Sequence, residues 1–216
     1  MNISVILSGG VGARFCKEVP KQYHMLNGKE IIAYVVEALR KCNETHRLII
    51  VAAEEDRKRL AGEYNVEVAV SGTTHAQSVK NALDYIKANY PMCIKVLFAD
   101  SCRPFITPGQ AKEYYDILDD YDAVFAAKRI TDSLGREGDI YVDRTPYFLI
   151  QKPEGFVFDI LYENFNANTH TTAIVQQMPS TAKIKKHFTA GLNLKITYPE
   201  DVPLAAALMT NWQEGV

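Results

Sequence analysis

The chain has 216 residues, 47% of them hydrophobic and 23% charged, with a formal net charge of -2 at pH 7. Those values suit one sizeable globular domain and leave little length for a second. They argue against the broad basic footprint of a protein that grips nucleic acid or an anionic membrane, so anion recognition has to be local.

The first apolar run, Ile3 to Leu7, predicts a short buried strand. It leads directly into Leu7-Ser8-Gly9-Gly10-Val11-Gly12-Ala13-Arg14-Phe15, followed by Pro20-Lys21-Gln22-Tyr23. Glycines at a strand end let the backbone turn sharply and approach a ligand. Backbone N–H groups converging there favour an anion such as phosphate, and Arg14 and Lys21 add two cations. The same stretch also reads as a glycine-rich turn with surface charges, and by itself it does not decide between the two.

Farther along, Glu30 to Cys42 sets Ile31, Ile32, Val35, Val36 and Leu39 on one helical face. Leu48 to Ala53 is apolar without alternation, the mark of a parallel strand covered on both faces. Glu54 to Tyr64 predicts a polar helix and Val66 to Val70 a short strand. Ser71-Gly72-Thr73-Thr74 is a turn, and Gln77 to Asn89 carries Val79, Leu83 and Ile86 at helical spacing. Ile94 to Ala99 is the next strand, ending on Asp100. Pro108 lies near the start of a helix reaching about Leu118, and Ala123 to Ala127 is a further strand. This alternation predicts a right-handed α/β fold with a mostly parallel sheet. Ligands of such sheets bind beyond the carboxyl ends of the strands, where both the first loop and Asp100 fall.

From Lys128 the pattern changes. Arg129 to Phe148 mixes Gly135 and Gly138 with charges and the alternating run Ile140-Tyr141-Val142. That predicts a projecting β-hairpin, an arm that serves as an interface or else a loose surface loop. Helical spacing returns from Gly155 to Glu163. A short stretch around Ala182-Lys183-Ile184 and a strand at Leu194-Lys195-Ile196-Thr197 follow, and Pro199-Glu200-Asp201 opens a last helix. No repeat or linker divides the chain, which reads as one domain with an arm.

Cys16, Cys42, Cys93 and Cys102 form no CxxC pair and no zinc-ligand spacing, so they read as free thiols of a reducing compartment. The start lacks a basic signal region, and no apolar run nears the roughly 20 residues that span a bilayer. A cytoplasmic location is expected. Asp100 closes an apolar strand, where an unpaired carboxylate costs free energy. A magnesium ion shared with a nucleotide accounts for it, and so does a capping or turn role.

Taken together, these pieces resemble the cytidylyltransferases that activate phosphorylated alcohols. The methylerythritol-phosphate and ribitol-phosphate cytidylyltransferases and related phosphonate-using enzymes belong to that group. The likeness runs over nearly the whole chain. Its marks are the opening loop with Pro20-Lys21-Gln22-Tyr23, Asn27-Gly28-Lys29, Gly72 with Ser78-Val79, and Asp100-Ser101-Cys102-Arg103-Pro104-Phe105. Thr131-Asp132-Ser133 with Arg144, and Asn193 through Asp201, complete the set.

The resemblance implies a Rossmann-like nucleotidyltransferase domain that uses CTP and a divalent cation, Mg²⁺. It implies that Gly9, Gly10, Gly12, Arg14 and Lys21 hold the triphosphate and that Lys195 is a third cation on the α-phosphate. Read without the family, Lys195 is a lysine snorkelling at a strand end. Cytosine and ribose are implied to meet main-chain groups around Leu7, Ser8 and Gly72, with Ser78 nearby, and Asp100 to hold the metal. Arg103 is either on the acceptor side or the ion-pair partner of Asp100. Thr131, Asp132, Ser133 and Arg144 are implied to reach into a partner subunit and hold the acceptor's phosphate in a homodimer; an arginine suits that task because it binds phosphate bidentately.

A dinucleotide-binding oxidoreductase is the nearest rival. Its G-x-G-x-x-G fingerprint, begun at Gly10 and Gly12, needs a glycine where Phe15 stands, although Glu54 or Glu55 supplies the acid it wants.

Several positions depart from the family pattern. Ala99 replaces a histidine, Cys102 a small residue, and His75 an arginine. A Gln-Thr-Pro-Gln segment appears as Gln151-Lys152-Pro153-Glu154, and a Thr-Asp-(Asp/Glu)-Ala motif as His170-Thr171-Thr172-Ala173. Leu192 stands where an aspartate is common. This pattern predicts the same transfer onto a different acceptor, a polyol phosphate or phosphonate used for surface polymers. Methylerythritol phosphate itself is the alternative, and a nucleotide-binding homologue without turnover is a third reading.

Overall fold

A computed structural model describes residues 1–10, 15, 19–139, 141–171, 173–188, 191–210 and 212. The chain opens with β1 (Asn2–Leu7). A 3-10 turn at Lys21–Tyr23 leads to a small hairpin of β2 (Met25–Leu26) and β3 (Lys29–Glu30). Asn27 and Gly28 both adopt positive φ, 47° and 86°, as a two-residue turn between antiparallel strands demands. Next come α1 (Ile31–Lys41), β4 (Arg47–Ala52), α2 (Glu54–Tyr64), β5 (Glu67–Val70), α3 (His75–Asn89) and β6 (Lys95–Asp100). Then follow α4 (Pro108–Ile117), β7 (Ala123–Arg129), β8 (Phe148–Val157), α5 (Phe158–Asn164), β9 (Ile184–Phe188) and α6 (Asp201–Thr210).

Seven strands form one sheet in the order β5-β4-β1-β6-β8-β7-β9. β8 alone runs against the others. Strand residues alternate between two covered faces. Ile3, Val5, Ile49, Val51 and Phe98 pack under α3 and α5 with Val79, Leu83 and Leu161. Ile6, Ile50, Leu97 and Val124 pack on the other face against Val35, Leu39, Tyr114 and Tyr115 of α1 and α4. Each such side chain contributes about 1.5–3 kcal/mol by leaving water, which fixes the register and hence which residues stand at the strand ends. Thr74 and Thr107 cap α3 and α4, accepting from the N–H groups of Gln77 and Gln110.

The structure departs from the sequence reading in three places. First, Gly155 to Val157 continue β8, and the helix starts only at Phe158. A Cβ on Gly155 would lie 3.1 Å from both Leu118 and Val124, so the bare backbone is what lets α4 and the neighbouring strand close over it. Second, Leu194–Thr197 forms no strand; it lies against the loop after β6, with the Ile196 N–H donating to the Cys102 carbonyl (2.9 Å). Third, the expected hairpin is reduced to its base. β7 and β8 pair from Ala123 to Arg129, but among the described residues of 130–147 the only ladder contact is an isolated Arg136–Asp139 bridge. That stretch has too few apolar residues to bury itself. Among the described residues no helix is long and apolar enough to cross a membrane.

Candidate active site

The strand order reverses beside β1. The chain moves from β1 outward to β4 and β5, then returns to β6 on the other side, and Leu7 and Asp100 end up as register partners. Loops leaving adjacent strands in opposite directions open a crevice at such a point. Here it is a cleft of about 490 Å³. Of the residues singled out from sequence, Leu7, Gly9, Gly10, Lys21, Gly72, Ser78, Asp100 and Lys195 all line it. Gly12 and Arg14 lie outside the described residues.

Two glycines set the width of the cleft. A Cβ on Gly9 would fall 2.3 Å from Ser71 Cβ, so the first loop reaches the turn before α3 only because that side chain is missing. One on Gly72 would fall 2.2 Å from Gln77 Cγ, so the turn itself folds back on α3 only because Gly72 is bare. Gly10 has open space where a Cβ would go. Ser8 is 3% exposed, and its main chain is engaged internally: its N–H donates to the Val51 carbonyl (2.8 Å) and its carbonyl accepts from Gln22 Nε2 (2.9 Å). The Gly72 N–H likewise donates to Ser78 Oγ (3.1 Å). The groups expected to read the base thus serve first to fix the loops that carry them. Thr73, Thr74 and His75 bring the N-terminus of α3, with its positive dipole end, to the cleft.

Asp100 ties the third wall together. Its Oδ2 accepts from Arg103 Nε and Lys195 Nζ, each at 3.1 Å. The Asp100 side chain is 13% exposed, that of Arg103 9%, and that of Lys195 42%. Burial pushes the Asp100 carboxyl up, but the charges of Lys195, Arg103 and Lys152 outweigh it and hold the group well below the usual carboxylate range. The carboxylate is therefore paired, which accounts for its place at the end of an apolar strand without a metal. Burial pushes the Cys102 thiol up, so this cleft residue stays protonated at neutral pH.

Arg103 uses its remaining reach on the protein itself, donating from Nη1 to the Asn193 carbonyl (2.8 Å). Asn193 Nδ2 in turn donates to the Lys152 carbonyl (2.8 Å) and to Gln151 Oε1 (3.2 Å). This clamp fixes the extended segment that carries Lys195. Gln22 and Asn193 carry no site role in the sequence pattern, because their roles arise from tertiary contacts. Thr131, Asp132, Ser133 and Arg144 are all exposed and line none of the clefts described here. Arg144 donates to the Thr131 carbonyl, which ties the two ends of the arm.

A mostly parallel α/β sheet with a glycine loop, a helix N-terminus and two lysines around a cleft at its reversal point has the architecture of a nucleotidyltransferase. The family model described as IspD: 2-C-methyl-D-erythritol 4-phosphate cytidylyltransferase matches residues 2–211. The chain belongs to that family of cytidylyltransferases, which removes the oxidoreductase as a rival. A 2-C-methyl-D-erythritol 4-phosphate cytidylyltransferase from Thermosipho melanesiensis is 30% identical over 94% of this chain and 96% of its own length. The Bacteroides thetaiotaomicron protein of the same name is 29% identical over 95% and 98%. Among solved structures, 4-diphosphocytidyl-2C-methyl-D-erythritol synthase from Anaerococcus prevotii superposes with a TM-score of 0.82. It is 23% identical over 97% of this chain and 96% of that one, a likeness of fold.

Proposed function

We propose that this protein transfers CMP from CTP to the phosphate of a short phosphorylated alcohol and releases pyrophosphate. The observation that carries the reading is the pairing of Lys195 with Asp100 across the cleft from the glycine loop, in a chain of this family. An acceptor phosphate oxygen attacks the α-phosphorus of CTP as the bond to the β-phosphate oxygen breaks. The nucleophile is already ionised, so no general base is needed, and the task is alignment and charge neutralisation. Gly9, Gly10, Lys21 and the α3 N-terminus hold the triphosphate. Lys195, kept in place by Asp100, meets the charge that builds on the α-phosphoryl oxygens. Arg14 is proposed as a further cation there.

A magnesium ion fits this donor set. Both cations fall on Asp100 Oδ2, so among the described residues Oδ1 would be the atom to hold a magnesium ion shared with the nucleotide's phosphates. Among the described residues no group of three or more His, Cys, Asp or Glu could hold a metal by itself, so Asp100 would hold the ion together with the nucleotide's phosphates. Such an ion supplies charge neutralisation on the phosphates.

The names carried by the relatives favour 2-C-methyl-D-erythritol 4-phosphate as acceptor over the surface-polymer polyol phosphate or phosphonate that the altered positions suggest. One observation keeps the second reading: a buried ion pair, Lys152–Glu154, stands beside Lys195 where the family pattern has neutral residues. We further propose a cytoplasmic homodimer in which the exposed Arg144, Thr131, Asp132 and Ser133 complete the partner's acceptor site. The test is pyrophosphate release with CTP, Mg²⁺ and 2-C-methyl-D-erythritol 4-phosphate, ribitol 5-phosphate, glycerol 3-phosphate or 2-aminoethylphosphonate. Release with one of them is expected. CTP binding without release in any arm points to a nucleotide-binding homologue.

A further inference from the structure

Next to the nucleotide cleft lies a smaller hollow of about 190 Å³, walled by His75, Asp100, Gln151, Lys152, Glu154 and Lys195. It shares His75, Asp100 and Lys195 with the cleft, so an occupant lies beside the lysine assigned to the reacting phosphate. At about 30 Å³ per water molecule the hollow takes roughly six waters, the size of a short-chain alcohol and too small for a second nucleotide.

Its charged pair has an uneven hydrogen-bond inventory. Lys152 is 4% exposed and Glu154 1%, and the two are ion-paired. Glu154 is well satisfied: it also accepts from the N–H groups of Ile174 (3.2 Å) and Val175 (2.7 Å). The Lys152 ammonium has three donors, and among the described residues Glu154 is its one hydrogen-bond partner. Buried donors left over cost free energy unless an oxygen meets them, and Lys152 lines a hollow from which one can come. The strand makes room for this. Phe125 pairs with Glu154 but Ala126 pairs with Gln151, so Lys152 and Pro153 sit in a bulge, out of the β7 ladder. Stability alone does not call for the pair, since apolar side chains of similar volume serve a core at least as well.

We propose that Lys152 determines acceptor specificity: its ammonium donates to a hydroxyl oxygen on the carbon chain of the acceptor. It thereby selects hydroxylated alkyl phosphates over acceptors that carry an amine at that place, which meet a like charge. The assignment rests on the transferase reading above, and the test separates the two. KM and kcat are measured at saturating CTP for the four acceptors named above, with the unaltered protein and with the double variant Lys152→Thr/Glu154→Gln. That variant removes both charges, so neither is stranded.

The KM for the best hydroxylated acceptor is expected to rise about 10- to 100-fold, the worth of one charge-assisted hydrogen bond. The KM for CTP should stay within about twofold, and use of 2-aminoethylphosphonate relative to that acceptor should improve. An unchanged acceptor KM, or a parallel rise in the CTP KM, overturns the role of Lys152. If the variant does not fold, the unaltered protein still decides, through its best acceptor and the deoxy analogue of that acceptor. Loss of the hydroxyl should cost a similar factor, and equal use overturns the assignment. No pyrophosphate from the unaltered protein with any acceptor overturns the transferase reading, and this assignment with it.

Discussion

Around the cleft, Ser8, Gln22, Arg103 and Ser78 are all buried and hydrogen-bonded to the chain around them. In the arm, Thr131, Asp132, Ser133, Arg144 and Tyr141 are exposed, and the described residues between β7 and β8 make almost no ladder. A site meant to stabilise developing charge has to be rigid before the substrate arrives, because dipoles that reorganise during reaction lose their advantage. The cleft meets that condition within one chain. The arm does not, so any fixed role for its residues requires a second surface to order them. The proposed nucleotide half of the chemistry thus rests on preorganised residues, and the acceptor half is proposed to depend on assembly.

Four substitutions probe that contrast, and the largest effect is expected at Lys195. Lys195→Ala removes the cation proposed to meet the α-phosphate and should lower kcat by about 10²–10³, read from pyrophosphate release. A fall below tenfold returns Lys195 to the surface role its 42% exposure also allows.

Asp100→Asn comes next. It strands the buried Arg103, which keeps the Asn193 carbonyl, and should cost about 3 kcal/mol of stability at neutral pH, together with the metal dependence of the reaction. The Asp100 carboxyl is held below its ordinary value of about 3.9. Its contribution is therefore full above that value and lost as pH falls through the lowered folded value. Denaturant curves of parent and variant should converge only in strong acid, and a constant gap down to the acid limit contradicts the pairing.

Gly72→Ala pushes a Cβ to within 2.8 Å of the Gln77 backbone. Overpacking of that kind costs about 1–3 kcal/mol, and the CTP KM should rise as the α3 wall shifts. An unchanged KM and melting temperature would show that the two walls are not in register for the ligand. Arg144→Ala should have the narrowest effect: a higher acceptor KM, with the CTP KM and the melting temperature unmoved. Sedimentation as a monomer at micromolar concentration breaks the assembly half of the contrast.

The residues themselves explain what was readable from sequence. β1, β4 and β6 stand out because strands covered on both faces are apolar throughout, and Asp100 and Gly9 stand out because they end such runs. β8 hid behind Lys152, Pro153 and Glu154, residues that argue against an inner strand; the bulge removes the proline from the ladder and the ion pair neutralises the rest. Leu194–Thr197 looked like a strand because four residues cannot show whether a run joins a ladder, and only Ile196 of that run is buried. Lys195 lies 95 residues from Asp100, so no local pattern joins them, and only the family resemblance pointed to it. The Asn193 clamp and the spare donors of Lys152 depend on tertiary contacts that leave no trace in the local sequence.

The central claim is that the crevice between β1 and β6 holds the nucleotide. A second hollow of about 500 Å³, lined by Arg40, His46, Arg47, Glu67 and Tyr90, opens where β4 and β5 begin and offers cations and similar room. A crystal structure with CTP and Mg²⁺ decides between them. The triphosphate is expected between Gly9–Gly10 and Lys195, with Asp100 beside the metal. A nucleotide seated among Arg40, His46 and Arg47 would contradict it.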